Sequence, residues 1–305
     1  MTYQLDWLPG GDKSPVYVGV QEGFFEEEGL EVSIASGRGS TDAITKIATG
    51  QSDIGSADIG ALMAAKAQDD SLPVKVVYSI FNQAPHAFFT LEKNGITEMA
   101  DIEGKKVATS PFTSSNAFLP LVLKENGMAE SAVQLTKADP GALGPMLMSG
   151  STDAIIAWVT NIALFADQAE TTGNEMVVLP WSDAGLELYS SSVVASETFL
   201  SERPDVAKRF MRAFAKSLQF THDNPRKAAE ALSAMVPEVD VDVATAQIGD
   251  TMKLVVNEVS ERDGLGALTE ERVALTWSWV SQAEQLPEDA LDPEVIVDRS
   301  LLEAL

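Results

Sequence analysis

The stretch "LDWLPGGD" sends the largest kind of side chain, Trp7, to a point where a strand-like run meets Pro-Gly-Gly. An indole there either plugs the core at a strand end or faces an open cleft and stacks on a flat partner. Such ring contacts contribute roughly 0.5–1.5 kcal/mol beyond the area they bury. Arg38, in "SGRGS", offers a guanidinium that can hold a carboxylate or sulfonate through two parallel hydrogen bonds; the alternative is a solvated loop arginine. Thr113, Ser114, Ser115 and Asn116 open a helical run just after Phe112. Their hydroxyls and the free N–H groups of a helix start suit an acceptor or an anion, while one of them must serve as an ordinary cap. Phe112 can add a side wall. Ser56 and Asp58 can hold a ring amine or hydroxyl, with a plain helix cap as the competing role for Asp58.

The chain has only two histidines, His86 and His222, and no cysteine. That argues against a Ser-His-Asp triad or a histidine metal site, and it excludes thiol nucleophiles, Cys-ligated zinc, iron–sulfur clusters and disulfides. No metal and no cofactor is therefore expected. Lys plus Arg number 21 against 46 Asp plus Glu, a formal charge of −25 that repels nucleic-acid phosphates and anionic lipid. Nucleic acid is thus not an expected partner, whereas a small anion in a local basic pocket is still allowed by salt screening. The best apolar run, "DAIIAWVTNIALFA", falls short of the ~20 residues that span a bilayer, so no membrane insertion is expected of this chain. No signal-peptide pattern precedes Trp7; for an exported protein that implies a leader already trimmed.

The elements that must position these groups alternate. "TYQLDWL", "LEVSIAS", "SDIGSADI" and "LPVKVVYSIF" read as strands, separated by the helical "VYVGVQEGFF", a short helix after "GRGST", and "IGALMAAKAQ". Ser14-Pro15 reads as an N-cap followed by proline at the first helical position. This βαβ order predicts a mostly parallel sheet with helices on its faces, whose ligands bind beyond the carboxyl ends of the strands. Trp7, Arg38 with Ser40, and Ser56 with Asp58 all follow predicted strands, so they are expected to converge on one rim. A second α/β series begins at "HAFFTL" and closes with "EMVVLPW". "LELYSSSVVAS" then reads as a long strand, and the remainder is helical with 3.6-residue periodicity. The helical part has no sheet of its own and is expected to pack on the first lobe. The chain thus reads as an α/β protein of two lobes, residues 1–85 plus 189–305 and residues 86–188, joined by two crossover segments. His86, on the first crossing, and Glu187 and Tyr189, on the return, can each reach a cleft between the lobes or simply pack the hinge.

Taken together, "LDWLPGGDKSPVYVGVQEGFFEEEGLEV", "ITKIATGQSDIGSAD" and "IEGKKVATS" closely resemble the periplasmic substrate-binding proteins of ABC importers. Within them, the similarity is to the branch that binds thiamine pyrimidine precursors, sulfonates and nitrate, and it covers roughly residues 2–200. The resemblance implies a type II periplasmic binding fold, a small-molecule ligand held between lobes, delivery to a membrane permease, a periplasmic location and a monomer. Pyrimidine-precursor binders carry Leu-Asp-Trp, one residue, then Pro-Asn. Leu5, Asp6, Trp7 and Pro9 match, but Gly10 stands where the Asn would be, which removes one amide partner for a pyrimidine. The "DAIIAW" strand resembles the segment that presents an aromatic ring from the second lobe, which points to Trp158. Asn161, just beyond it, is either a cap or a ligand contact.

Two readings of function follow. One is solute capture without chemistry, of a planar heteroaromatic or acid-bearing molecule. The other is an enzyme on the same scaffold, similar to pyrimidine synthases or menaquinone-pathway enzymes. The lack of cysteine counts against the enzyme, because the fungal synthases that resemble this family carry a Cys-rich iron motif.

Overall fold

The computed structural model describes residues 1–184 and 186–302. Strands β1 (Thr2–Gln4), β2 (Ser33–Ala35), β3 (Ile54–Asp58) and β4 (Val74–Ser79) precede the first crossing. Strands β5 (His86–Leu91), β6 (Lys106–Thr109), β7 (Gln134–Lys137), β8 (Ala154–Trp158) and β9 (Met176–Pro180) follow it, and β10 (Ser191–Ser196) returns. They form two five-stranded sheets, ordered β2-β1-β3-β10-β4 and β7-β6-β8-β5-β9. In the first sheet β1 runs parallel to β2 and β3, while β10 is antiparallel to both neighbours. The second sheet repeats the scheme, with β6 parallel to β7 and β8 and β5 reversed. In each sheet the reversed strand comes directly from a crossing. The expected parallel sheet is therefore mixed, each crossing strand being wedged antiparallel into its sheet.

Local chemistry explains where the elements differ from expectation. The helix over "VYVGVQEGFF" is two helices, Ser14–Gln21 and Phe24–Glu27, because Gly23 adopts φ +76° between them, a conformation that costs glycine nothing. Ser14 is the first helical residue and not the cap; Lys13 takes the cap position, and the Ser14 hydroxyl is buried without a partner. The long strand over "LELYSSSVVAS" is confined to β10. Upstream of it, the Tyr189 N–H donates to Thr276 Oγ1 (3.0 Å) and the Ser190 N–H to the Phe81 carbonyl (2.9 Å). These backbone groups are thus spent on a helix and on the first crossing, not on a ladder.

Three apolar clusters support the sheets. One packs the first sheet against the helices Ser14–Gln21, Pro204–Asp223 and Pro225–Met235, with Tyr3, Phe25, Phe210 and Phe214 stacked inside it. A second covers one face of the other sheet around Phe89, Leu143 and Phe165. The third is shared: Ala57 and Val76 of the first sheet join Phe88, Val107 and Ile156 of the second, with Phe118 and Trp277 between. The helical C-terminal part is not confined to the first half. Its helix Glu270–Ala283 meets both Ile59–Gln68 and Ser115–Glu125, and Val241–Val255 meets Ile162–Thr171. Among the described residues no helix is long and apolar enough to cross a membrane.

Candidate functional site

The carboxyl ends of β1 and β8 face one another across a small cavity. Asp6, Trp7, Asp12, Gly39 and Ser40 line it from segments following β1 and β2; Thr113, Ala157, Trp158 and Asn161 line it from segments of the second sheet. Its volume is about 20 Å³, room for a water and not for a ring. Trp7, Asp12 and Asn161 also line a much larger neighbour of about 480 Å³ that widens toward the helix Ile162–Thr171 and the segment Val236–Asp240. The two form an inner recess and an outer vestibule.

Beneath the recess lies a buried charge network. Lys13 Nζ sits 2.6 Å from Asp6 Oδ1 and 2.9 Å from Asp12 Oδ2, and no side chain of the three is more than 5% exposed. Ser56 Oγ donates to Asp6 Oδ1 at 2.9 Å. Burial alone would lower the Lys13 pKa, yet Asp12 and Asp6 outweigh it and hold the ammonium above its ordinary range. Burial pushes the Asp12 carboxyl up, against the pull of Lys13. The lysine also lies over the Trp158 ring, 5.4 Å from its centroid, while Phe81 and His86 approach that ring edge-on at 5.9 Å. Trp158 Nε1 is buried with no hydrogen-bond partner among the described residues.

A second polar cluster is deeper. Asp58 accepts from Ala61 N–H at 3.2 Å, capping the helix Ile59–Gln68, and from Ser190 Oγ at 2.5 Å. Its other neighbour is His86 Nε2, at 4.0 Å and beyond hydrogen-bond range; His86 Nδ1 meets Ser115 Oγ at 2.9 Å. All three residues are fully buried. Burial raises Asp58 to about 6 and lowers His86 to about 3. Ser, His and Asp thus lie near one another, but they are buried, with the hydroxyl on Nδ1 and the carboxylate 4.0 Å from Nε2, the reverse of the order in a Ser-His-Asp triad.

The outer edge of the recess is a docking of two loops. Ser110 Oγ donates to the Arg38 carbonyl (2.8 Å), and the Thr41 N–H and hydroxyl both reach the Phe112 carbonyl (3.3 and 3.1 Å). Gly39 has φ +149°, and a Cβ there would fall 2.1 Å from the Phe112 carbonyl oxygen, so only glycine admits this approach.

Of the residues singled out in the sequence, Trp7, Thr113, Trp158 and Asn161 meet at the recess. Ser56 stands behind it, holding Asp6. Asp58, His86 and Ser115 form the sealed cluster. Arg38 lies outside the lining: its guanidinium pairs with Asp42 at 3.2 Å and stacks on Phe112 at 4.9 Å, with the side chain 54% exposed. Ser114 occupies the cap position of Ser115–Glu125 without a capping hydrogen bond, its hydroxyl buried and without a partner among the described residues. Asn116 ties its own loop, accepting from Thr109 and donating to the Ser110 carbonyl. Glu187 lines a different cavity, with Arg262 and Arg272. Tyr189 is a core residue, bonded to Thr269 and covered by Arg272. Ser40, placed with Arg38 on the expected rim, also lines the recess, whereas Asp12, Lys13 and Gly39 carry no role in the sequence reading. The one available signal for Lys13 was its position, a basic residue at a helix start where the macrodipole disfavours it.

The family described as NMT1/THI5 like matches residues 11–228. Among curated relatives, a riboflavin-binding protein RibY from Chloroflexus aurantiacus is 24% identical, over 87% of this chain and 76% of its own. A formylaminopyrimidine-binding protein from Halalkalibacterium halodurans is also 24% identical, over 85% of this chain and 78% of its own. A 4-amino-5-hydroxymethyl-2-methylpyrimidine phosphate synthase from Aspergillus parasiticus is 22% identical, over 78% and 71%. Among solved structures, the alkanesulfonate-binding protein SsuA from Xanthomonas axonopodis, bound to MOPS, superposes with TM-score 0.76 at 13% identity, over 98% of each chain. A Candida albicans gene product with the generic periplasmic binding protein structural fold gives 0.72 at 15%, over 98% and 96%. The fold is that of the periplasmic binding proteins.

Proposed function

Because the chain belongs to the NMT1/THI5-like family, we propose that it is an extracytoplasmic solute-binding protein that captures a small planar organic molecule and delivers it to the permease of an ABC importer. Residues 1–85 with 189–305 act as one lobe and residues 86–188 as the other, and the location is the periplasm. The observation that carries this reading is the recess itself, walled by Trp7 from one sheet and Trp158 from the other. A ring does not fit while the recess holds about 20 Å³. Entry therefore requires the halves to part at the two crossings, and the liganded form must close around the ring with the two indoles further apart than they stand here; contacts made only on that closure shift the population toward it. The permease reads that closed shape.

The lining also bears on polarity. At the floor two carboxyl groups, Asp6 and Asp12, face the single ammonium of Lys13, and Arg38 is engaged elsewhere. A neutral ring carrying N–H donors suits this floor better than a sulfonate or carboxylate, whose charge would be repelled in a poorly screened site. Two relatives are named for binding riboflavin and formylaminopyrimidine, which supports a ring ligand. Binding without chemistry is favoured over the synthase reading by the sealing of His86, Asp58 and Ser115 away from the recess.

The test is to denature purified protein, identify what it releases by mass spectrometry, and titrate that compound calorimetrically. Trp7→Ala is expected to weaken its binding at least about tenfold, equivalent to ~1.4 kcal/mol. Unchanged affinity removes the stacking role, and a release of product after turnover of the compound removes the transport reading.

A further inference from the structure

The vestibule has a composition that the recess alone does not explain. Prolines and glycines keep it wide: Pro9, Gly10, Pro140, Gly141, Gly144 and Pro145 all line it. Its apolar wall comes from Leu164 and Phe165 on one side and Val236, Val239 and Val243 on the other. Set into that wall are Asp12, Asp167, Glu238 and Asp240, and no lysine or arginine is among the described residues that line it. Asp240 already spends Oδ1 on the N–H groups of Asp242 and Val243, whereas Asp167 and Glu238 are exposed at the rim.

We infer that this 480 Å³ vestibule is a second subsite, which takes an apolar extension of the ring ligand ending in an amine or other cationic group. The inference rests on the reading of the recess as the ring site and adds to it: the ligand has two parts, one planar and one cationic. Three features point the same way. The vestibule shares Trp7, Asp12 and Asn161 with the recess, so one molecule can occupy both. Its walls favour methylene or aryl groups through burial of apolar surface. Its charge is of one sign, and a low-dielectric cleft lined by one sign concentrates the opposite charge.

Indole, tryptamine and indole-3-propionate test this with one ring that is bare, carries a cationic tail or carries an anionic tail, followed by saturation-transfer NMR and competition. Tryptamine is expected to bind tightest and indole-3-propionate weakest. The exposed double variant Asp167→Lys with Glu238→Lys is expected to lower the tryptamine-to-propionate affinity ratio by about tenfold or more, from two rim charges each reversed. Gly141→Phe is a steric arm. Only Leu8 Cδ1, at 4.0 Å, lies within 4 Å of a Cβ there, so a side chain can be added at that wall, and a circular dichroism spectrum matching the parent's checks the fold; the variant is expected to weaken both tailed probes more than indole. If the probes bind but their ranking ignores both variants, the second subsite is wrong while the ring site stands. If none of the three shows saturation transfer at millimolar concentration, the ring site fails and the subsite with it.

Discussion

Two buried polar clusters occupy the junction of the sheets, and they handle charge in opposite ways. At the recess, Asp6 and Asp12 are brought directly onto Lys13, each carboxyl within 3 Å of the ammonium. A few residues deeper, Asp58 and His86 stand 4.0 Å apart with their pKa values pushed toward neutrality, the acid up and the base down. The difference is one of geometry. A buried ion pair offsets its desolvation only when direct hydrogen bonds join the charges, and at 4.0 Å with no shared proton burial wins. The cluster that lines the cleft is thus a fixed electrostatic surface, and the sealed one is a packing element that happens to titrate.

The largest effect expected from breaking this contrast is at Lys13. Lys13→Met leaves two carboxylates buried without a counter-charge, and loss of one partner in such a site costs about 3–5 kcal/mol. Urea unfolding at pH 7 measures it. In the variant, the Asp12 carboxyl, already pushed up by burial, also loses the pull of Lys13, so the folded state binds its proton more readily and part of the loss returns as the pH falls. A variant as stable as the parent, with no pH dependence of its own, would show that the carboxylates were never held as ions.

The second effect separates the sealed pair. Asp58, raised from 3.8 to about 6, makes the folded state gain stability as pH falls from 6 toward 4. His86, lowered from 6.5 to about 3, makes it lose stability over pH 6.5 to 3, because the unfolded chain takes up the proton first. The two slopes oppose one another in the parent. Asp58→Asn keeps an acceptor for Ser190 and is expected to steepen acid destabilisation below pH 6.5. His86→Gln is expected to do the reverse, leaving a fold that gains stability between pH 6 and 4. Parallel stability-against-pH curves for the two variants would refute the assignment. Slopes are the readout, since either substitution also changes packing.

What was legible in the sequence followed from local pattern. The alternation of strands and helices, the second α/β series starting at His86 and the placing of Trp7 and Trp158 at strand ends all depend on periodicity and turn residues within short windows. The burial of Lys13 does not. It depends on Gly11 donating to Gln247 Oε1 from a helix 236 residues away, which closes over the Gly-Gly-Asp-Lys turn, and a lysine after such a turn otherwise reads as solvated. Tyr189 is open in the sequence for the same reason: on the return crossing it can reach a cleft or pack the hinge, and the packing seen comes from Thr269, Thr276 and Arg272, in the last third of the chain. Asp58 fell between two readings, and the cap is the one its geometry shows.

The smallest expected effect sharpens the comparison from the outside. Arg38 is a cation at the edge of the same cleft, yet its side chain is 54% exposed and its partner Asp42 also pairs with Lys46 at 2.8 Å. An exposed pair of this kind contributes roughly 0.2–1 kcal/mol, screened by salt, and Asp42 keeps a counter-charge when Arg38 is removed. Arg38→Ala is therefore expected to cost under about 1 kcal/mol, most of it from the lost cover on Phe112, and to leave ligand affinity within about twofold. Calorimetric titration decides this. A loss comparable to that of Trp7→Ala would mean that the loop carrying Arg38 turns its guanidinium into the recess when ligand binds, and the carboxyl floor made by Asp6 and Asp12 would then be only half of the electrostatic site.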